Sequence, residues 1–247
     1  MRGSVPAQHT ARRATGLPRL ALADGTVEAL KWLGLVLMTL DHVNKYLLHD
    51  AVAWLYDLGR LAAPLFGFAL AYNLARPGTL ARGAYPRTLK RLALSGSVAT
   101  VPFVALGGLG WGWWPLNIMA MLFVAAACMY LVEQGGALRM ALAALLFLVG
   151  GGVVEFWWAG VAMCLAAWRY CRHPGWWPLV LWVAATAALF VINRNLWALA
   201  ALPAIFAASH LPMRLPRLKL VFHVYYPAHL AVLWGLSRCI LLAQSAP

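Results

Sequence analysis

A chain of 247 residues would ordinarily form one domain or two small ones. Here 63% of the residues are hydrophobic, 11% are charged and mean hydropathy is +0.73, whereas soluble domains are about half apolar and about a quarter charged. The 13 Trp have no place in a single water-soluble core of this length, so soluble enzyme folds are excluded. The formal charge of +13 fits either nucleic-acid binding or the basic loops of a membrane protein, and the position of the charges decides between them.

Residues 1–26 read as a polar, basic arm carrying Arg2, Arg12, Arg13 and Arg19. The arm has no apolar core of signal-peptide length, so it is expected to stay on the chain as a cytoplasmic segment. Asp24-Gly25-Thr26 then supplies capping chemistry before the first apolar run. About nine spans follow, near 27–48, 51–75, 88–107, 115–132, 137–152, 154–171, 177–193, 195–210 and 219–243. Turn residues punctuate them: Arg76-Pro77-Gly78, Gly107-Gly108, Gln134-Gly135-Gly136, Gly150-Gly151-Gly152 and His173-Pro174-Gly175. Several segments are short, which puts the count between about eight and ten. The predicted class is all-α, a polytopic transmembrane helical bundle, with one domain over 27–243, a tail at 244–247 and no internal repeat.

With the N-terminus inside, every Lys and Arg falls on the inner side except Lys45, Arg60, Arg194 and Arg238. Such asymmetry is the positive-inside pattern, so it favours a multi-pass cytoplasmic-membrane protein and removes the case for nucleic acid. Trp111, Trp113, Trp114, Trp157 and Trp158 fall at outer span ends, as an aromatic belt would. Cys128, Cys164, Cys171 and Cys239 have no metal-binding spacing and are expected as small buried apolar residues; no metal is expected.

Polar residues inside spans are costly and point to function or to paired structural charges. Helical spacing puts Met38, Asp41, His42, Lys45 and His49 on one broad face of the first span, with Asp41 about 20 Å along it. In the second span Arg60 lies at the same level, with Asp41 or Asp57 as its expected partner; Gly59 and Ala62-Ala63 permit close helix approach, and Pro64 frees a carbonyl. Asn117 is either a hydrogen-bond donor near Asp41 or a helix cap, and Glu155 is placed at headgroup level. In the last span His229 follows Pro227, with Tyr225 and Tyr226 one turn earlier, at a depth compatible with His42. Arg76, Arg82, Arg87, Lys90 and Arg91, with Arg214 and Arg217, serve topology and also suit a polyphosphate ligand from the cytosol.

The Asp41-His42 pair within Leu40-Asp41-His42-Val43-Asn44-Lys45-Tyr46, Gly59-Arg60 with Pro64-Leu65-Phe66, and Tyr226-Pro227-Ala228-His229-Leu230 together resemble the TraX family. Its members are integral membrane proteins of conjugative systems, known as N-acetyltransferases of F-type pilin. The resemblance runs from about Ala29 to Leu233. Pro102-Phe103, Asn117 and the basic 87–91 segment also match, while roughly 135–200 matches by hydropathy alone.

The resemblance implies an acetyl-CoA-dependent N-acetyltransferase of the bacterial inner membrane, acting on the N-terminal amine of a pilin subunit on the outer side. Acetyl-CoA would be a co-substrate, held by the inner arginines and Tyr226, with its thioester reaching the level of Asp41, His42 and Arg60. His42 would then be the general base, Asp41 would orient or neutralise, and Arg60 or Asn117 would stabilise the oxyanion. His229 as base, or a His carrying the acetyl group, are alternatives. A different class, a transporter or pilus-assembly scaffold with an Asp41/His42/His229 proton relay, predicts inverted repeats, and none is visible.

Overall fold

The computed structural model describes residues 17, 19–107, 114–218 and 220–245. Residues 1–16 of the arm, Trp111, Trp113 and Lys219 lie outside them. The chain folds into α1 (Asp24–Leu47), α2 (Ala53–Gly59), α3 (Ala62–Ala75), α4 (Ala84–Ala105), α5 (Ile118–Gln134), α6 (Ala137–Val153), α7 (Trp157–Arg172), α8 (Trp176–Ala188), α9 (Phe190–Asn193), α10 (Ala201–Ala208) and α11 (Val221–Ser245). A 3-10 turn at Trp197–Ala200 leads into α10. Helices α2 and α3 continue as one rod over Ala53–Ala75, α8 and α9 as another over Trp176–Asn193, and the 3-10 turn and α10 as a third over Trp197–Ala208. The described residues thus form nine rods, and each coincides to within a few residues with a span expected from the sequence.

The bundle is all-helical. Among the described residues the β pairing is an isolated bridge, Leu116 with Val154. Ala53–Ala75, Trp176–Asn193 and Val221–Gln244 are long and apolar enough to cross a membrane. Helix α1 is as long, but Asp24, Glu28, Lys31, Asp41 and Lys45 lower its hydropathy. The remaining apolar rods are shorter than a full span.

Contacts between rods establish an up-and-down path. One end gathers the Arg76–Asp24 ion pair at 2.6 Å, the Tyr72 hydroxyl donating to Leu22 O, the Thr26 hydroxyl donating to Leu211 O, and the Glu133–Arg172 ion pair. Arg76 also holds the Asp24 carboxyl below its usual range, chiefly through their hydrogen bond. The opposite end gathers Tyr56 donating to Asn193 O, Asn195 donating to Asp57, and the Leu116–Val154 bridge. The first is the basic end, where Arg82, Arg87, Arg91, Arg214 and Arg217 also lie.

The core sits where α3 packs on α7, α7 on α8, and α5 on α6 and α7. Leu65, Phe68, Tyr85, Met121, Tyr170 and Trp182 are almost wholly buried there, and the Phe68 and Trp182 rings stack 5.6 Å apart. By contrast Val101, Leu138 and Leu242, on the flanks of α4, α6 and α11, are each about 70% exposed. Bare apolar flanks around a packed centre are what lipid, and not water, accommodates. Exposed Trp marks both ends: Trp54 and Trp197 at one, Trp176 and Trp177 at the other. Of the cysteines, Cys128 and Cys164 are buried as expected, but Cys171 is half-buried and Cys239 is exposed on the bare flank of α11.

A topology reporter inserted in the loop at 77–82 should read cytoplasmic, and one inserted at 195 should read the opposite side. Reporters reading the same side would contradict this path.

Candidate active site

The second rod is broken where it meets α1. Pro64 lacks an N–H for the Arg60 carbonyl, and the turn tightens: Arg60 N bonds Asp57 O and Leu61 N bonds Leu58 O. The Tyr56 carbonyl is thereby released from the ladder and accepts the Arg60 Nε–H at 3.0 Å. Arg60 also lies over the Tyr56 ring, 4.1 Å from its centroid, and donates through Nη2 to Asp41 Oδ2 at 2.5 Å. Of the two partners the sequence allowed, Asp41 is therefore the one taken, while Asp57 accepts from Asn195. Gly59 makes the approach feasible, because a Cβ there would lie 2.4 Å from the Asp41 Cβ.

On the residue next to Asp41, about 100° around α1, His42 Nδ1 meets His229 Nε2 of α11 at 2.8 Å, with the rings stacked at 5.0 Å. His229 Nδ1 faces the Tyr225 carbonyl at 3.1 Å. A carbonyl only accepts, so His229 carries its proton on Nδ1 and its Nε2 is an acceptor. His42 must then donate from Nδ1, which leaves the lone pair on His42 Nε2.

A cavity of about 250 Å³ has Asp41, His42, Tyr46, Arg60, Phe103 and Glu155 on its wall, with Lys45 and Asp50 also on it. Lys45 and Asp50 are both exposed. A second cavity, of about 190 Å³, runs toward the basic end and is lined by Lys31, Asn73, Thr88, Arg91, Arg217 and His223 among apolar residues. Met38, Phe66, Ile118 and Tyr226 belong to the walls of both. The two spaces therefore meet at a shared apolar collar.

A family model described as TraX protein matches residues 26–237. The chain belongs to the TraX family. Two curated relatives, both named Protein TraX, come from Escherichia coli and from its strain K12. They are 29% and 31% identical over 155 and 165 residues, covering 62% and 66% of this chain. The alignments span 59% and 63% of the relatives' own lengths, about three-fifths of each. No solved structure matches.

The residues that carried the resemblance in the sequence come together here, since Asp41-His42, Gly59-Arg60 and His229 meet from α1, the α2–α3 break and α11. Asn117 does not join them. Its Oδ1 accepts Met119 N as the cap of α5, and its amide donates to Gly96 O and the Thr100 hydroxyl, which binds α5 to α4. The capping alternative is the one realised. His49 also leaves the expected face, because α1 ends at Leu47 and His49 sits in an exposed left-handed turn. Buried Asn44 fixes that turn through a double hydrogen bond to the backbone of Val52.

Of the expected phosphate-binding residues, Arg91, Arg217 and Tyr226 line the basic-end cavity. Arg76 is engaged with Asp24, and Arg82, Arg87, Lys90 and Arg214 are exposed outside it. Lys31 and His223 join the lining without having been singled out. Lys31 is paired with buried Glu28 at 2.6 Å and lies over the Phe222 ring. Glu155 is half-buried on the wall of the outer cavity. The 116 and 153–155 segments exchange backbone bonds, which sets it beside the start of α5, its carboxylate facing the Ile118 N–H.

Asp41→Asn removes the charge that balances buried Arg60 and should destabilise the protein by about 3–5 kcal/mol. The double replacement Asp41→Leu with Arg60→Met should cost less than Asp41→Asn alone. Thermal unfolding in detergent measures both, and a double variant weaker than the single one would contradict a mutually compensating pair.

Proposed function

We propose that this protein is a membrane-embedded N-acetyltransferase. It takes acetyl-CoA from the basic, cytoplasmic end and acetylates a primary amine presented at the opposite end. Membership of the TraX family supports the N-terminal amine of a pilin subunit, in conjugative pilus biogenesis at the bacterial inner membrane, as the acceptor. The observation that carries the reading is the pair of cavities meeting at the Met38–Phe66–Ile118–Tyr226 collar. One has cationic residues suited to phosphate, and the other holds an imidazole with a directed lone pair.

Arg91 and Arg217, with Lys31 beside them, hold the phosphates at the mouth; guanidinium forks match phosphate oxygens better than a point charge does. The pantetheine arm passes the apolar collar and sets the thioester carbon in the outer chamber. An α-amine has a pKa near about 8 and arrives largely protonated, so a proton must leave before attack. The amine nitrogen adds to the thioester carbon, and His42 Nε2 takes the second proton as the new C–N bond forms. Collapse of the tetrahedral intermediate breaks the C–S bond, and the His42 imidazolium returns a proton to the CoA sulfur. One acetyl-CoA and one ammonium thus yield one amide, one CoA thiol and one proton released to water. His229 keeps the reactive tautomer by accepting from His42 Nδ1, the role a carboxylate has beside other catalytic histidines. Arg60 uses two of its five N–H groups on Tyr56 and Asp41, leaving three for the oxyanion.

Purified protein given acetyl-CoA and a peptide with a free N-terminus should release CoA thiol. His42→Ala should lower turnover by about 10²–10⁴, and full turnover in that variant would sink the general-base assignment. Arg91→Ala and Arg217→Ala should raise KM for acetyl-CoA and leave kcat close to wild type. A fall in kcat at unchanged KM would place those arginines elsewhere in the reaction.

A further inference from the structure

Accounting for every acid in the chain leaves one of them unexplained. There are seven Asp and Glu. Asp24 pairs with Arg76, Glu28 with Lys31, Asp41 with Arg60 and Glu133 with Arg172. Asp57 accepts a hydrogen bond from Asn195, and Asp50 is exposed to solvent. Glu155 remains, half-buried on the wall of the outer chamber and in no ion pair among the described residues.

No cation of the chamber forms an ion pair with it among the described residues; Arg60 and Lys45 act on it only through space, and the Ile118 N–H faces it. Arg60 is already neutralised by Asp41 at 2.5 Å, and Lys45 stands at the exposed edge with its Nζ over the Tyr46 ring. His42 and His229 share a hydrogen bond in which each ring needs only its one proton. What Glu155 does have is a rigid seat. The Glu155 N–H donates to Leu116 O at 2.7 Å, Leu116 N–H donates to Val153 O at 2.9 Å, and left-handed Phe156 turns the chain away directly after it. A half-buried carboxylate held in place without a salt-bridge partner is ready to take one from a ligand.

We propose that Glu155 is the seat for the acceptor's ammonium group. It recognises a primary amine by charge, selects it over hydroxyl acceptors, and fixes it within the chamber where His42 Nε2 awaits a proton. Glu155 is a binding and positioning residue, and His42 remains the base. The seat deepens the transferase reading and rests on it for the identity of the acceptor, but the binding of an amine can be measured without turnover.

The test uses the full chain in lipid nanodiscs without acetyl-CoA. A short peptide with a free N-terminus should bind at least about tenfold more tightly than the same peptide N-acetylated. Glu155→Gln should erase that gap, and Glu155→Asp should keep part of it. A probe that needs no variant is competition for peptide binding in the wild type, which n-propylammonium should produce and n-propanol should not. No gap in the wild type, a gap that survives Glu155→Gln, or peptide binding indifferent to propylammonium would each overturn the seat. CoA-thiol release separates this from the parent reading. Amine discrimination without thiol release would defeat the transferase and keep the seat. Thiol release with an unchanged amine KM in Glu155→Gln would keep the transferase and defeat the seat.

Discussion

The buried Asp41–Arg60 ion pair sets the terms for everything around it. Two charges removed from water are tolerated only when their geometry is good and their remaining valences are met. Here the requirements are met by neighbours that look unrelated in sequence: the tightened turn before Pro64 releases the Tyr56 carbonyl for Arg60 Nε, the Tyr56 ring lies beneath the guanidinium, and Gly59 removes the side chain that would strike Asp41. The break in the second rod and the charge in the first are therefore one feature.

Around this pair the bundle separates two chemistries by depth. Lys31, Arg91 and Arg217 line the cavity at the end that carries most of the basic residues, and the His42 imidazole lies beyond the apolar collar. The collar residues come from α1, α3, α5 and α11, so both spaces depend on the same four helices keeping their packing. Asn117 contributes to that at one remove: by capping α5 and tying it to Gly96 and Thr100 of α4, it fixes where Ile118 enters the collar.

The rods were legible in the sequence because each is an apolar run closed by Gly, Pro or a charged pair, signals that act locally. The conjunction of Asp41, His42, Arg60 and His229 was legible because polar residues at equal depth in a membrane seek one another. What escaped the sequence depends on which faces meet. Arg91 reaches the basic-end cavity while Lys90 beside it points outward, a difference of about 100° on the helix that no composition reveals. Glu155 lies between two rods, where sequence alone gives a headgroup-level carboxylate; the backbone exchange with Leu116 is what sets it on the chamber wall. The His tautomer depended on a single carbonyl, that of Tyr225.

The His42–His229 contact joins residues 187 positions apart, and α11 sits at the margin of the bundle, packed against α4 and α1 with a bare flank outward. The order of synthesis follows from this. Asp41 and Arg60, 19 positions apart, can pair as soon as the first two rods are in place, so the charge problem is solved early. The imidazole of His42 acquires its fixed tautomer only when the last rod docks. A nascent chain thus settles its buried charges well before its imidazole is fixed, and that fixing coincides with the docking of α11.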